Sequence, residues 1–240
     1  MKFIRSLLFY ITFLIFTVCY IPAFVLAGFF IKTDAFSRYI MRSWMHGFIR
    51  IAKKILHIDY TLKNFDLIKH RTSPIIIAPK HQSMWETFLI CSELGENMRI
   101  VLKKQILNYP LISRLIKNTH GIAIDHKNTL QSLRTLLEEG GKAINNGENL
   151  CIFPEGERVK AGENGTYHSG LFFIYKKLNI PVATIALNAG VFWPTKQFAK
   201  IPGTITVEVT GIIDPGLTKK EFDEHLHQLI EQPSQKMLNL

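Results

Sequence analysis

The chain has 240 residues, of which 47% are hydrophobic and 20% are charged, and these fractions exclude a disordered or fibrous protein. Its 29 lysines and arginines against 19 acidic residues give a net charge of +10, which indicates an anionic partner such as nucleic acid, an anionic membrane or a phosphorylated substrate. Three widely separated cysteines, Cys19, Cys91 and Cys151, fit neither a disulfide framework nor a zinc motif and favour a reducing compartment.

The first predicted element is an apolar run without charges from Ser6 to Ile31. As one helix it would be about 39 Å long, at ~1.5 Å per residue, which is enough to cross the hydrocarbon of a bilayer. A signal peptide is disfavoured because its apolar region has only about 7–15 residues. Pro22 interrupts the run, and proline usually kinks or ends a helix. The sequence therefore leaves two arrangements open, a spanning helix and a broken hairpin that enters one leaflet.

The next segment, Phe36–Leu56, has apolar residues at helical spacing with basic residues between them. This pattern is typical of a helix lying in the membrane interface, and equally of an amphipathic helix packed on a domain. We expect residues 1–56 to form an N-terminal membrane-associated helical segment and residues 57–240 to form a separate domain. The excess of basic residues after the apolar run predicts that this flank faces the cytoplasm.

From Asp59 onward, short apolar runs alternate with helical patterns. The predicted strands are Tyr60–Lys63, Pro74–Ala78, Arg99–Leu102, Ile122–Ile124, Leu150–Phe153, Val182–Leu187 and Thr204–Thr210. The predicted helices are Met84–Ser92, Leu111–Lys117, Leu130–Asn145, Leu171–Leu178 and Lys219–Leu240, and capping pairs at Ser83/Glu86, Asn128/Gln131 and Thr218/Glu221 mark three of their starts. This alternation predicts an α/β fold with a largely parallel central sheet flanked by helices.

Three polar clusters follow predicted strands directly, at residues 80–86, 125–127 and 154–158. Because parallel strands end at one edge of a sheet, and binding sites of such sheets form at that edge, we expect these clusters to meet.

His81 and Glu86 are spaced so that a carboxylate in the first turn of a helix can meet a histidine just before it, if Ser83 is the N-cap. Such a carboxylate fixes the imidazole tautomer and stabilises the imidazolium, which suits a general base acting on an alcohol. The alternative is that Glu86 only caps the helix through the Ser83 amide. The HExxH and GxSxG motifs are absent, which disfavours a zinc enzyme and a serine hydrolase.

The His81–Glu86 segment, together with several later segments, resembles the glycerolipid acyltransferases, which include the 1-acyl-glycerol-3-phosphate acyltransferases. The ordered segments that carry the resemblance are His81–Glu86, Lys103–Pro110, Gly121–His126, Phe153–Arg158 and Ile180–Ala186. Together they cover about residues 74–195. The chain departs from the family pattern at two positions, with Glu86 in place of an aspartate and His126 in place of an arginine associated with the acceptor's phosphate.

The resemblance implies that His81 and Glu86 are catalytic. It further implies a group of substrate-binding residues, which are Lys103, Lys104, Glu155, Gly156, Arg158 and His126. Among these, Arg158 and Lys103 are expected to bind a phosphate. Glu155 is expected to orient Arg158 or its loop, and Gly156 allows a tight turn. No metal or other cofactor is implied.

The expected reaction is transfer of a fatty acyl group from acyl-CoA or acyl carrier protein to the sn-2 hydroxyl of lysophosphatidic acid, giving phosphatidic acid. We expect a lysophospholipid acceptor and membrane lipids as partners, and the cytoplasmic side of the cell inner membrane as the location. Nucleic acid is disfavoured because much of the positive charge crowds the apolar segment. The alternatives are an acyltransferase for another lysolipid and a non-catalytic lipid-binding protein of the same fold.

Overall fold

A seven-stranded sheet runs through the centre of the computed structural model, which describes residues 1–31, 33–125 and 128–239. In spatial order its strands are β1 (Ile58–Lys63), β7 (Gly203–Ile213), β6 (Val182–Leu187), β2 (Ile76–Pro79), β5 (Asn149–Cys151), β3 (Met98–Lys103) and β4 (Ile122–Ile124). All neighbouring strands pair in parallel except β6 and β7, which are antiparallel. The predicted α/β fold with a largely parallel sheet is confirmed.

Helices cover both faces of this sheet. Two form an N-terminal hairpin, α1 (Lys2–Val25) and α2 (Asp34–Ile51), and each continues into a π-helical turn, Leu26–Phe30 and Ala52–Leu56. The others described are α3 (Asp66–Lys69), α4 (Trp85–Leu94), α5 (Pro110–Asn118), α6 (Thr129–Asn145), α7 (Ser169–Leu178), α8 (Ala189–Phe192), α9 (Lys219–Leu226) and α10 (Gln232–Lys236). Short 3₁₀ turns occupy Gly95–Asn97, Lys104–Asn108 and Met237–Asn239.

The C-terminal segment differs from the single helix expected over Lys219–Leu240. It begins at α9 with the predicted capping box, since the Thr218 side chain and Glu221 satisfy each other's backbone amides. A π-helical turn, His227–Glu231, then separates α9 from α10. Leu240 lies outside the described residues.

The core has one layer on each side of the sheet because the buried strands alternate their side chains between the two faces. In β2, Ile77 packs into the layer that contains α1, α2 and α4, whereas Ile76 and Ala78 pack into the layer beneath α6, α7 and α9. The sheet is thereby buried on both faces, and its carboxyl edge is left for the polar clusters.

The helix does not break at Pro22, since α1 runs through this residue and the hairpin turns only after Phe30. Proline costs α1 one backbone hydrogen bond. Two side-chain hydrogen bonds tie α1 to α2 just before the proline and offset that loss, from Trp44 Nε1 to Thr17 Oγ1 at 3.1 Å and between the Tyr20 and Ser43 hydroxyls at 2.8 Å.

Both ends of α1 contact the α/β domain. Near its start, the Lys200 backbone N–H donates to Ser6 Oγ at 2.8 Å, and the fully buried Phe9 packs edge-on against Trp193. Near its end, Arg114 Nε donates to the Gly28 carbonyl at 3.0 Å. In the described part of the chain, this is the one helix long and apolar enough to cross a membrane.

Helix α2 packs on the domain, which is one of the two arrangements the sequence left open. Two of its three arginines turn inward: Arg38 pairs with the largely buried Glu148, and Arg42 donates to the Ser92 carbonyl at 3.1 Å, whereas Arg50 is exposed. Arg38 and Arg42 therefore fasten the hairpin to the domain and do not face a lipid surface.

Candidate active site

His81 and Glu86 form a close pair at the carboxyl end of β2. The distance from His81 Nδ1 to Glu86 Oε1 is 2.9 Å, and the ring also stacks on Phe153 with centroids 4.1 Å apart. The imidazole is 15% exposed and borders a cleft, whereas the carboxylate is fully buried. Since Nδ1 is engaged with Glu86, the cleft side of the ring presents Nε2.

The Glu86 carboxylate also receives hydrogen bonds from the loop that precedes α4. The Gln82 and Ser83 backbone amides donate to Oε1 at 2.7 and 2.6 Å, and the Ser83 hydroxyl donates to Oε2. The N-cap of α4 is Met84 and not Ser83, so the expected capping box is not formed as such. The contacts of both alternatives are nevertheless present, since Glu86 accepts the Ser83 amide and also pairs with His81. Three contacts on Oε1 and one on Oε2 fix the orientation of this buried carboxylate.

Glu155 lies behind His81, out of the cleft. It is 2% exposed, its Oε2 accepts the His81 backbone N–H at 2.6 Å, and its Oε1 accepts from Lys80 Nζ at 2.5 Å. Burial raises the pKa of Glu155, although the Lys80 ammonium and the His81 amide oppose this by favouring the charged form. The Glu155 carboxylate faces the protein interior, where both of its oxygens are occupied, and its assignment to the substrate-binding residues stays a prediction.

The cleft beside His81 has a volume of about 700 Å³ and lies at the carboxyl edge of the sheet. One part of its wall is apolar and includes Met84, Phe88, Ile100, Leu102, Ile124, Ile152 and Phe153. The other part is polar and carries the cations Lys103 and Arg158, together with Gly156 and the acidic Glu157. This volume is within the usual range for small-molecule sites, about 300–1,000 Å³.

The two cleft cations are exposed, with Lys103 at the end of β3 and Arg158 in the loop after β5. Gly156 lies between Glu155 and Arg158 with a φ of 65°, a left-handed conformation in which glycine pays no steric cost. Lys104 begins the following 3₁₀ turn and is exposed, but it is not part of the described cleft wall.

The second polar cluster falls partly outside the described residues, since His126 and its neighbour Lys127 are not among them. Ile124, at the end of β4, does line the cleft. Among the described residues, no group of three or more His, Cys, Asp or Glu side chains could hold a metal ion.

Several residues around the site were not assigned a role from the sequence. Lys80 and Glu231 form a buried ion pair behind His81, and Tyr167 donates to Glu231 at 2.7 Å. Near Arg158, burial and that guanidinium lower the pKa of Lys200. Lys80 could have been assigned a role at the site from the sequence because it is adjacent to His81. Glu231 lies 150 residues after His81, and no motif marks it.

Comparison with known proteins gives one consistent result. A family model described as Acyltransferase matches residues 57–188. The 1-acyl-sn-glycerol-3-phosphate acyltransferase of Pseudomonas aeruginosa is 33% identical over 172 residues, which are 72% of this chain and 66% of that protein. A protein of the same name from Cocos nucifera is 25% identical over 62% of this chain and 49% of its own length. The chain thus spans between about half and two thirds of the length of these curated relatives.

A solved structure shows the same fold over nearly the whole chain. It is the crystal structure of PlsC, the 1-acyl-sn-glycerophosphate (LPA) acyltransferase from Thermotoga maritima, and it is similar to this chain with a TM-score of 0.75 and 18% sequence identity. The similarity covers 98% of both chains, so it includes the N-terminal hairpin as well as the sheet.

Proposed function

Because the chain belongs to the acyltransferase family, we propose that it transfers a fatty acyl group from acyl-CoA or acyl carrier protein to the sn-2 hydroxyl of lysophosphatidic acid. The product is phosphatidic acid, an intermediate of phospholipid synthesis. The observation that carries the proposal is the His81–Glu86 pair at 2.9 Å, set at a cleft that has an apolar wall and a cationic wall. The names of the curated relatives support the same acceptor.

In this mechanism His81 acts as the general base. Nε2 takes the proton of the acceptor hydroxyl while its oxygen attacks the thioester carbon, and the C–S bond then breaks to release a thiolate. The imidazolium returns the proton to that thiolate, so the enzyme ends in its starting state. Glu86, bonded to Nδ1, holds the tautomer and stabilises the positive charge between the two steps.

Different walls of the cleft are suited to contact different parts of the two substrates. The apolar side chains, with Phe88 and Met84 nearest to the catalytic loop in sequence, suit a fatty chain. Lys103 and Arg158 suit the phosphate of the acceptor, and the planar guanidinium can make two parallel charge-assisted hydrogen bonds to it. The positions of these cations favour a phosphate-bearing lysolipid over an uncharged acceptor.

The test is thiol release by the purified protein in detergent, supplied with acyl-CoA and lysophosphatidic acid. We expect His81→Ala to lower kcat by about 10²–10⁴-fold, the usual contribution of a general base. The matched control is His70→Ala, since His70 is exposed on the turn before β2, at the opposite edge of the sheet.

Two of the three protein thiols, Cys91 and Cys151, contribute little background to this assay because they are buried, and burial raises the pKa of Cys91 to about 12. Cys19 is exposed, so its signal is subtracted with an enzyme-only blank. Absence of thiol release with acyl-CoA and with acyl carrier protein, for several lysolipids, would favour a non-catalytic lipid-binding protein. Full activity of His81→Ala would remove His81 from the mechanism.

We also propose that residues 1–56 are the membrane-associated part and residues 57–240 the catalytic part. The outer face of α1 carries a continuous apolar stripe of exposed side chains, namely Ile4, Leu7, Leu8, Ile11, Leu14, Ile15, Val18 and Ile21. If α1 crossed the bilayer, its two ends would lie on opposite sides of about 30 Å of hydrocarbon. Both ends contact the same domain, at Ser6 and Gly28, which supports an α1 that lies along the membrane and enters one leaflet.

The cytoplasmic side of the inner membrane is the location that we propose. The basic excess after the apolar run and the free cysteines support a reducing, cytoplasmic face. The proposed acyl donors are soluble carriers that would reach the cleft from that side.

A further inference from the structure

Three charged side chains are buried together behind His81. Lys80 Nζ lies 2.5 Å from Glu155 Oε1, and 2.9 and 2.8 Å from the two carboxylate oxygens of Glu231. Each of these side chains is only 1% exposed. Taking charges out of water is costly, and a buried ion pair often contributes less stability than apolar side chains of the same size. The cluster therefore calls for an explanation other than stability.

The cluster holds the backbone of the catalytic loop on both sides of the Lys80–His81 peptide. Lys80 immediately precedes His81. Its ammonium is held by the two carboxylates, and its backbone N–H donates to the Ile185 carbonyl at 2.8 Å. The His81 N–H donates to Glu155 at 2.6 Å, and the His81 carbonyl accepts from the Val159 N–H at 2.8 Å. The imidazole is thus carried by a backbone segment that the cluster holds in place.

Glu231 links this segment to the loop that carries the cleft residues. Its Oε1 accepts the Tyr167 hydroxyl at 2.7 Å, and the Gly165 N–H approaches it at 3.5 Å. Burial and the Glu231 carboxylate raise the pKa of Tyr167, so this hydroxyl stays a donor. Residues 156–168 form the loop that begins with Gly156 and Arg158, so one carboxylate anchors both His81 and the cationic wall.

Charge balance shows that Lys80 does not need both carboxylates. Glu155 alone neutralises the ammonium, and a second buried carboxylate adds repulsion. Glu231 also completes a π-helical turn, His227–Glu231, and such turns are frequent at functional sites. The presence of Glu231 is explained by its contacts, because it is the residue that joins the C-terminal helices to Lys80 and to the loop.

We propose that Glu231 is a positioning residue for acyl transfer. Through Lys80 and Glu155 it holds His81 against Glu86, and through Tyr167 it holds the loop that carries Arg158. Glu231 lies 43 residues beyond the segment that the family model matches. The inference rests on the proposed function, since it concerns the placement of the general base.

The test is Glu231→Gln, which keeps the size of the side chain and removes its charge. Because small displacements of a catalytic group cost up to about 10²-fold in rate, we expect kcat to fall about 10- to 100-fold. The KM values for acyl-CoA and lysophosphatidic acid should change less than about twofold, because the glutamine carbonyl oxygen can still accept the Tyr167 hydroxyl and so hold the loop that carries Arg158. The melting temperature should change little because Lys80 keeps its ion pair with Glu155. The matched control is Glu148→Gln, a largely buried carboxylate paired with Arg38 and Arg99 at the other edge of the sheet.

A second variant tests the same placement without removing a charge. A Cβ at Gly165 would lie 2.3 Å from Glu155 Oε1, so Gly165→Ala must displace that carboxylate. We expect a comparable loss of kcat in Gly165→Ala. We also expect that the double variant with Glu231→Gln loses no more kcat than the sum of the two single losses, expressed as free energies.

The outcomes separate the inference from the proposed function. Full activity of His81→Ala would overturn the proposed function and this inference with it. An inactive His81→Ala together with unchanged kcat in folded Glu231→Gln or Gly165→Ala would overturn the inference alone. Equal losses of activity and melting temperature in Glu231→Gln and Glu148→Gln would also overturn it, because the effect would then be general destabilisation.

Discussion

The two carboxylate oxygens of Glu86 make four hydrogen bonds. Because of this geometry, the effect of the negative charge on catalysis can be tested with a side chain of the same shape. A glutamine could keep its carbonyl oxygen at the position of Oε1, facing His81 and the Gln82 and Ser83 amides. Its NH₂ group would face the Ser83 hydroxyl, which can accept a hydrogen bond. The side chain would then orient the imidazole without stabilising the imidazolium.

At the residue scale we therefore predict that Glu86→Gln folds normally and loses about 10²-fold or more in kcat. Thiol-release kinetics and thermal unfolding are the two measurements. Glu86→Asp restores the charge with one methylene fewer and should be more active than Glu86→Gln. An activity of Glu86→Gln equal to that of the wild type would mean that the carboxylate only caps α4.

At the scale of a single element, helix α6 contains two adjacent glycines in different surroundings. A Cβ at Gly140 would lie 2.6 Å from Ile174 Cδ1, whereas a Cβ at Gly141 would lie at an ordinary 3.7 Å from Leu178 Cδ2. A side chain at position 140 would have to displace the Ile174 terminal methyl and press on Leu150, so Gly140 favours the close approach of α6 to α7 and to the sheet. Gly141 lacks such a constraint and only weakens the helix.

We predict that Gly141→Ala raises the free energy of unfolding by up to about 1 kcal/mol, the helix propensity difference between the two residues. Gly140→Ala should lower it by about 1–3 kcal/mol because the new methyl group overpacks the interface with α7. Chemical denaturation of both variants beside the wild type gives these values. Equal effects from the two substitutions would show that α6 and α7 do not pack as described.

At the scale of the whole molecule, the N-terminal hairpin shares its core with the sheet while α1 presents apolar side chains outward. Removing residues 1–31 would take Phe9 from the core as well as removing the proposed membrane contact. A deletion would therefore combine loss of stability with loss of membrane binding. Substitutions on the outer stripe separate these two effects.

We predict that the double variant Leu14→Glu, Ile15→Glu binds anionic phospholipid vesicles at least tenfold more weakly, while its melting temperature is nearly unchanged. The two side chains are 63% and 60% exposed, and each contributes about 1.5–3 kcal/mol when transferred into lipid. Vesicle co-sedimentation measures the effect. The control is Leu130→Glu, which changes an 82% exposed leucine on α6. Equal vesicle binding by the double variant and this control would place the membrane contact elsewhere.

The amino-acid sequence by itself determined the α/β fold, the spacing of His81 and Glu86, and the chain positions of Lys103 and Arg158. These follow from local rules, because strand and helix periodicity, capping residues and strand-end loops are properties of short segments. The same local rules left the region of Pro22 undecided, and there the helix is continuous and packs against α2.

Only the tertiary structure decided which polar residues face the cleft and which support it from behind. Glu155 is adjacent to Gly156 in sequence, but its carboxylate turns inward because Lys80 and the His81 amide lie there. In a regular α-helix, Glu231 would lie about 140° around the axis from the buried Leu226, at about 100° per residue. The π-helical turn winds more residues into each turn and brings Glu231 to the interior, beside Lys80. Contacts between residues 150 positions apart depend on how the whole chain packs, and no local pattern encodes them.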